Sequence, residues 1–186
     1  MDNLLITGYR AHELGIYNNK HEGIPYIRKA IAKRLIPLLD EGLQWVITPG
    51  QYGVDLWAIE VAIELKAQYP ALRCSILTAY ANPEEQWKDD KKAYFQQLKQ
   101  GVDFYAPVSK DAYQGSWQFS ARDELLLRKT DGILLVYDED NGEASPKFIK
   151  ERALKKQSQE GYRFISIGSE EIQAIADEES MNQADY

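Results

Sequence analysis

The sequence predicts a three-layer α/β protein, in which helices cover both faces of a mostly parallel sheet. Six short apolar runs alternate with longer stretches of helical periodicity along the 186 residues. Four of these runs are almost continuously apolar, which is typical of strands covered on both faces. Strands that alternate with helices are joined by right-handed crossovers, which keep neighbouring strands parallel. We therefore expect about six strands in one sheet.

The apolar runs place the predicted strands, in order, at 4–6, 45–47, 75–77, 102–105, 133–137 and 164–167. After the first run, an apolar stripe from Ile24 to Leu38 predicts a helix that Pro37 should kink or end early. A second apolar stripe runs from Val54 to Leu65. Asn82-Pro83 and Ser145-Pro146 are typical helix starts. Gly101 and Gly161 are typical helix stops.

Composition excludes several classes of function. The chain carries 22 basic and 29 acidic residues, a net charge of −7, which argues against sequence-independent nucleic-acid binding. A single cysteine excludes an internal disulfide, and two histidines leave little for a metal site, so we expect no metal and no cofactor. No run is long enough to span a membrane, and we expect a cytoplasmic protein. We predict one domain over residues 1–176 and a frayed acidic tail over 177–186.

Ligands of such sheets bind beyond the carboxyl ends of the strands, so the loops after the strands are the candidate sites. The loop after the first strand contains Gly8, Tyr9, Arg10, Glu13 and Gly15. Arg10 offers a planar fork for a phosphate or a carboxylate, while Gly8 permits a tight turn or a close approach. The alternative is a plain turn with a solvated arginine.

The loop after the second strand contains Gly50, Gln51, Gly53 and Asp55, and it leads into a helix. Backbone N–H groups at a helix start form an anion site, and glycines remove side chains that would block it. We expect Asp55 to face the crevice and to accept hydrogen bonds from a ligand, and Gly53→Ala to weaken binding more than folding. The alternative is that Asp55 only caps the helix.

Two further segments carry candidate residues. Gly142, Ser145 and Lys147 follow the most apolar strand and enter another helix start, which is either a second anion cradle or a flexible acid-rich turn. Before that strand lie Trp117, which could stack on a base, and Arg122, a second candidate cation. We expect Arg10 and Arg122 to line one electropositive pocket. The neighbouring aromatic at 119 is more typical of core or lid packing.

The order of these residues resembles the SMF/DprA–LOG (SLOG) superfamily, and across nearly the whole chain it is similar to the bacterial YpsA-like family. The superfamily pattern appears as Gly8-x-Arg10, Gly50-x-x-Gly53-x-Asp55, Arg122-Asp123 and Gly142-x-x-Ser145. The segments similar to the YpsA-like family are 7–9, 13–15, 39–43, 50–57, 130–132 and 145–147. The resemblance implies a Rossmann-like domain that binds a nucleotide or a nucleotide-derived small molecule at the strand-end crevice.

Three functions compete. The first is binding or sensing of a nucleotide-derived molecule. The second is a hydrolase similar to the LOG branch, which cleaves the base–ribose bond of nucleoside monophosphates. In this sequence Trp57 stands where that branch has its catalytic glutamate, which leaves Asp55 or Glu60 as substitutes. The third is single-stranded DNA binding similar to DprA, which Asp123 and the net charge disfavour. A homo-oligomer is compatible with the sequence.

Overall fold

The computed structural model describes residues 1–184 and contains six parallel strands in one sheet. The elements are β1 (Asn3–Gly8), α1 (Ile24–Asp40), β2 (Trp45–Thr48), α2 (Val54–Leu65), β3 (Arg73–Thr78), α3 (Asp89–Gly101), β4 (Phe104–Pro107), α4 (Trp117–Lys129), β5 (Gly132–Val136), α5 (Pro146–Glu160), β6 (Arg163–Ile167) and α6 (Ser169–Ala184). The strand order is β4-β3-β2-β1-β5-β6, and every pairing is parallel. The predicted three-layer, Rossmann-like fold is therefore confirmed.

The two faces of the sheet bury separate apolar clusters, because side chains alternate along each strand. On β1, Leu4 and Ile6 pack into the cluster beneath α1 and α2, whereas Leu5 packs into the cluster beneath α4 and α5. On β5, Leu134 joins the first cluster and Ile133 the second. This alternation explains why the strands read as continuous apolar runs.

The strand order places a crevice beyond the carboxyl ends of β1 and β5. The chain proceeds from β1 to β2 on one side, while β5 pairs with β1 on the other. At such a reversal the following loops diverge towards opposite faces of the sheet and leave a gap between them. The loops that carry Arg10 and Ser145 border this gap.

The helix expected to start at Asn82-Pro83 begins instead at Asp89, because residues 83–86 form a turn. Two further expectations about helix ends were wrong. Pro37 lies inside α1, which continues to Asp40, because a proline in the last turn removes one hydrogen bond while Leu38 and Leu39 are buried. Residues 177–184 continue α6 instead of fraying. Glu179 Oε1 of this helix lies 2.6 Å from Lys29 Nζ of α1. The last two residues of the predicted tail, 185–186, lie outside the described residues. Within 1–184, the helices are too short or too polar to cross a membrane.

Candidate functional site

Two cavities meet at the strand-end crevice. We call the first, of about 400 Å³ beyond β2 and β3, the basic cavity, and the other, of about 560 Å³ between the starts of α4 and α5, the second cavity. Both volumes lie in the range of small-molecule sites. The two cavities share four residues, Arg10, Gln51, Phe119 and Arg122. These four residues form a common wall.

The structure brings Arg10 and Arg122 into one cavity, as the sequence predicted, and places both over one aromatic ring. Arg10 follows β1 and precedes a short 3₁₀ turn, and Arg122 lies in α4. Their Cζ atoms lie 5.6 and 5.2 Å from the centroid of Phe119. We call these two residues the arginine pair. Cation–π contact orients both guanidinium groups at the wall between the cavities.

The members of the arginine pair differ in how far their charge is compensated. Arg122 is buried and donates from Nε and Nη2 to Asp123 Oδ1 at 3.0 and 2.8 Å. Arg10 has no carboxylate oxygen within 4.0 Å among residues 1–184. With the Gln51 side-chain amide oriented so that its oxygen and nitrogen both face suitable partners, the oxygen accepts a hydrogen bond from Arg10 Nη2 at 2.9 Å. The guanidinium of Arg10 is thus positioned by a neutral group and has no direct ion-pair partner among residues 1–184.

The basic cavity concentrates positive charge in an acidic protein. Its lining includes Arg10, Lys88, Lys91 and Arg122 and contains no aspartate or glutamate. The whole chain, in contrast, has 29 acidic and 22 basic residues. A concave surface lined by one sign of charge focuses the field and attracts ligands of the opposite sign.

Aromatic side chains supply the rest of the cavity wall. The aromatic residues that line it are Tyr52, Tyr80, Trp87 and Phe119. Tyr52 and Trp87 meet edge to face with centroids 6.0 Å apart, and Tyr80 meets Phe119 at the same distance. The cavity therefore offers flat apolar surfaces beside cations, which suits an aromatic anion.

A buried glutamine shapes the loop beside this wall. Gln118 Oε1 accepts from the backbone N–H groups of Gln114 and Gly115, and its Nε2 donates to Ser109 Oγ and Ala112 O. The bonds hold residues 109–115 in a fixed course. Tyr113 of this loop lies against Tyr80 and Phe119, with centroids 5.2 and 6.0 Å apart. This loop thus touches the ring beneath the arginine pair.

Asp55 does not face the crevice, and that expectation was wrong. Its side chain is 2% exposed and lines neither cavity. It accepts from Thr7 Oγ1 at 2.6 Å and from the backbone N–H of Gln51 at 2.9 Å. Burial raises the pKa of Asp55 to about 6, although these two donors favour the charged form. Asp55 joins the end of β1 to the loop after β2.

The glycines of this loop approach the protein itself instead of a ligand. Gly53 has φ +145°, and a Cβ there would lie 2.5 Å from Tyr9 O and 2.6 Å from Ala11 N. Gly50 has φ +75°, and a Cβ there would lie 2.4 Å from the Ile76 side chain. The expectation that Gly53 makes room for a ligand was therefore wrong. Gly50 and Gln51 do line the basic cavity.

Glu13 fills the anion cradle predicted after β5. Its carboxylate accepts from the backbone N–H of Ser145 at 2.8 Å and from Ser145 Oγ at 2.7 Å. It also accepts from the backbone N–H of Arg10 at 2.8 Å. Burial alone would raise the pKa of Glu13, but the donors at Ser145 and Arg10 outweigh it and lower that pKa. Glu13 is thus a clamp between two loops.

The other predicted residues fall into three groups. Gly8 and Ser145 line the second cavity. Tyr9 and Gly142 border a smaller cavity of about 170 Å³, where the Tyr9 hydroxyl donates to Asp138 O. The remaining three residues line neither the basic cavity nor the second cavity. Gly15 ends the 3₁₀ turn with φ 69°, Trp117 is 54% exposed, and Lys147 pairs with Glu143 at 2.9 Å.

The part of the site that follows β3 was not predicted from the sequence. Tyr80, Trp87 and Lys88 lie between β3 and α3, and Lys91 lies in the first turn of α3. Applied to all strands, the rule that ligands bind beyond strand ends would have included this segment. It contains no glycine motif, and so nothing in its composition resembles a phosphate loop.

Comparison with known proteins places these residues in a family context. A family model described as YpsA, the YspA SLOG family, matches residues 4–172. A UPF0398 protein of Brevibacillus brevis is 44% identical over 176 residues, which cover 95% of this chain and 93% of that protein. A UPF0398 protein of Lysinibacillus sphaericus is 44% identical over 94% of this chain and 97% of its own length. One of Halalkalibacterium halodurans is 38% identical over 97% and 95%.

Proposed function

Since this chain belongs to the YspA SLOG family, we propose that it binds or senses a nucleotide-derived small molecule in the basic cavity. The observation that carries the proposal is the arginine pair over Phe119 in a cavity that no carboxylate lines. Guanidinium groups bind phosphate by paired, charge-assisted hydrogen bonds. Arg10, which has no direct ion pair among residues 1–184, supplies the stronger attraction.

The aromatic walls favour a nucleotide over a simple phosphorylated metabolite. Tyr80 and Trp87 line the cavity that the arginine pair borders. Any nucleobase can stack on such rings, because every base has an aromatic face. In nucleic-acid complexes this stacking stabilises binding by about 1–3 kcal/mol per base. In the proposed complex the phosphate contacts the arginine pair and the base contacts the aromatic side chains.

Neither substitute for the catalytic glutamate of the hydrolase alternative lines the basic cavity. Asp55 is buried against Thr7 and lines neither cavity. Glu60 accepts from the Tyr94 hydroxyl at 2.5 Å and lies 3.5 Å from Arg28, outside the basic cavity. General acid–base catalysis needs a group within hydrogen-bond reach of the substrate. Asp55 and Glu60, the two substitutes for the missing catalytic glutamate, are therefore better explained as structural residues than as catalytic ones.

The DNA-binding alternative is weakened by Asp123. Its Oδ1 accepts both contacts from Arg122, so this cation is partly neutralised before any phosphate arrives. The net charge of −7 also opposes a polyanion. A small ligand inside the basic cavity avoids most of that repulsion, because the lining contains no acid.

A thermal-shift screen tests the proposal. AMP, ADP, adenosine and orthophosphate are each added to the wild type, to Arg10→Gln and to the control Arg128→Gln, which changes an exposed arginine outside the cavities. A ligand at 100 Kd adds about 2.7 kcal/mol, which raises the melting temperature by about 5–10 °C in a chain of this size. We expect a shift with the nucleotides that Arg10→Gln reduces and Arg128→Gln keeps. No shift with any nucleotide would contradict the proposal.

Chromatography of the same AMP mixtures separates binding from hydrolysis. Binding alone leaves AMP intact after prolonged incubation. Release of free adenine would instead identify the protein as a hydrolase. A shift with single-stranded oligonucleotides that exceeds the shift with AMP, and that declines steeply with salt, would favour the DNA-binding alternative.

A further inference from the structure

We propose that Lys88 and Lys91 form a second anion subsite in the basic cavity, so that the preferred ligand carries at least two phosphate groups. The inference rests on the proposed function, since it specifies the class of nucleotide that the cavity takes. It starts from the part of the cavity that follows β3. There Lys88 directly precedes α3 and Lys91 lies in its first turn.

The cavity holds two cationic centres on two different aromatic rings. The arginine pair lies over Phe119. Lys91 Nζ lies 4.7 Å from the centroid of Tyr52, which orients a half-buried side chain towards the cavity. The first centre comes from the β1 loop and α4, and the second from the start of α3. The two centres are thus built by separate segments of the chain.

The cations of the second centre have no carboxylate partner. Neither Lys88 nor Lys91 has an acidic oxygen within 4.0 Å among residues 1–184. Asp89 and Asp90 lie in the same helical turn but do not line the cavity. Two of the four cations that line the cavity are therefore lysines, which lie apart from the arginine pair.

Charge balance favours two phosphate groups over one. Four cations line the cavity, and Asp123 compensates one of them, Arg122. A phosphate monoester carries about −1.5 to −2 at neutral pH, so a single group leaves the cavity positive. Two groups match it. The arginine forks suit a phosphate held in fixed geometry, while lysines act as point charges that accept varied positions.

Calorimetric titration at constant ionic strength tests the second subsite. AMP, ADP and adenosine 3′,5′-bisphosphate are titrated into the wild type, into Lys88→Gln/Lys91→Gln and into Lys92→Gln/Lys99→Gln. The last variant removes the same charge from α3 outside the cavity. We expect the better of the two bisphosphorylated ligands to bind the wild type at least tenfold more tightly than AMP. The choice between ADP and the 3′,5′-bisphosphate shows whether the two groups are adjacent.

The variants decide whether the lysines are responsible. Lys88→Gln/Lys91→Gln should lose most of the tenfold gain while its AMP affinity changes less than threefold, and the control should keep the gain. If AMP binds but a second phosphate adds nothing, or if the gain survives in Lys88→Gln/Lys91→Gln, the second subsite is wrong and the proposed function stands. If no nucleotide binds, both are wrong.

Discussion

The basic cavity lies at the same edge of the sheet as the loops after β2 and β5, but the two regions differ in how their charges are paired. In the loops, Asp55 accepts from the N–H of Gln51, and Glu13 accepts from the N–H of Ser145. In the basic cavity, four cations face a lining without a carboxylate. A backbone N–H group at these strand ends is therefore available to an anionic ligand only where no carboxylate of the chain already accepts from it.

The largest expected effect tests the packing of the filled loop. Gly53→Ala should lower the free energy of unfolding by about 3 kcal/mol or more, because it adds a collision with Tyr9 O to an unfavourable φ of +145°. Urea denaturation measures the change. Gly42→Ala is the matched control, since Gly42 has φ +104° but no atom within 4 Å of an added Cβ. Equal costs at the two glycines would show that the loop does not pack closely against the chain.

The next effect concerns the buried carboxylate of the same loop. Because the folded protein raises the pKa of Asp55 from 3.8 to about 6, the folded state binds its proton more tightly than the unfolded state. Its contribution to stability is therefore fully present below pH 4 and is lost as the pH rises through about 6. Relative to Asp55→Asn, the wild type should lose on the order of 2–3 kcal/mol over that interval.

Chemical denaturation of both proteins at several pH values checks this sign. Asparagine keeps an acceptor for Thr7 and does not titrate. Parallel stability curves for the wild type and Asp55→Asn between pH 4 and 7 would contradict the burial of an ionisable group at this position.

A smaller effect follows from the clamp between the loops after β1 and β5. Glu13→Gln replaces a carboxylate that accepts from Ser145 and Arg10, and it should cost about 1–2 kcal/mol at neutral pH. Since the folded pKa of Glu13 is lowered, the cost is present above pH 4.5 and disappears as the pH falls through the folded value. Glu143→Gln, which removes an exposed partner of Lys147, should cost much less, because solvent screens this ion pair.

The smallest expected effect concerns the basic cavity and the loop beside it. Tyr113→Ala removes a ring that contacts Tyr80 and Phe119 at the edge of the basic cavity. Without this contact the Phe119 ring beneath the arginine pair is held less firmly, so AMP should bind roughly threefold more weakly. Because Tyr113 is exposed, the melting temperature without ligand should change little. Tyr113→Phe should restore the affinity, and unchanged affinity in Tyr113→Ala would exclude a role of the loop in binding.

The sequence was sufficient to predict the sheet, because burial on both faces produces apolar runs that are readable without contacts. It also predicted that Arg10 and Arg122 share a pocket, since both belong to segments that the topology brings to one edge. The sequence did not predict the role of Asp55, because a carboxylate in the first turn of a helix can accept a hydrogen bond either from a ligand or from a neighbouring hydroxyl. The choice depends on Thr7, 48 residues away, which no local pattern reveals.

Glycine positions were misleading for a similar reason. A glycine permits close approach by whatever lies opposite, and at Gly53 this is the backbone of Tyr9 and Ala11. The contribution of Lys88 and Lys91 was missed because lysines in a polar segment are most often solvated. Their significance comes from the absence of acids across the cavity, a property of the folded surface.

The central claim is that Arg10 contributes to binding through the phosphate of a nucleotide, and a ligand–protein double-mutant cycle tests it most directly. Calorimetry measures the affinities of AMP and adenosine for the wild type and for Arg10→Gln. We predict that AMP binds the wild type at least thirtyfold more tightly than adenosine, and that the two ligands differ by less than fivefold in Arg10→Gln. An equal preference for AMP in both proteins would contradict the claim.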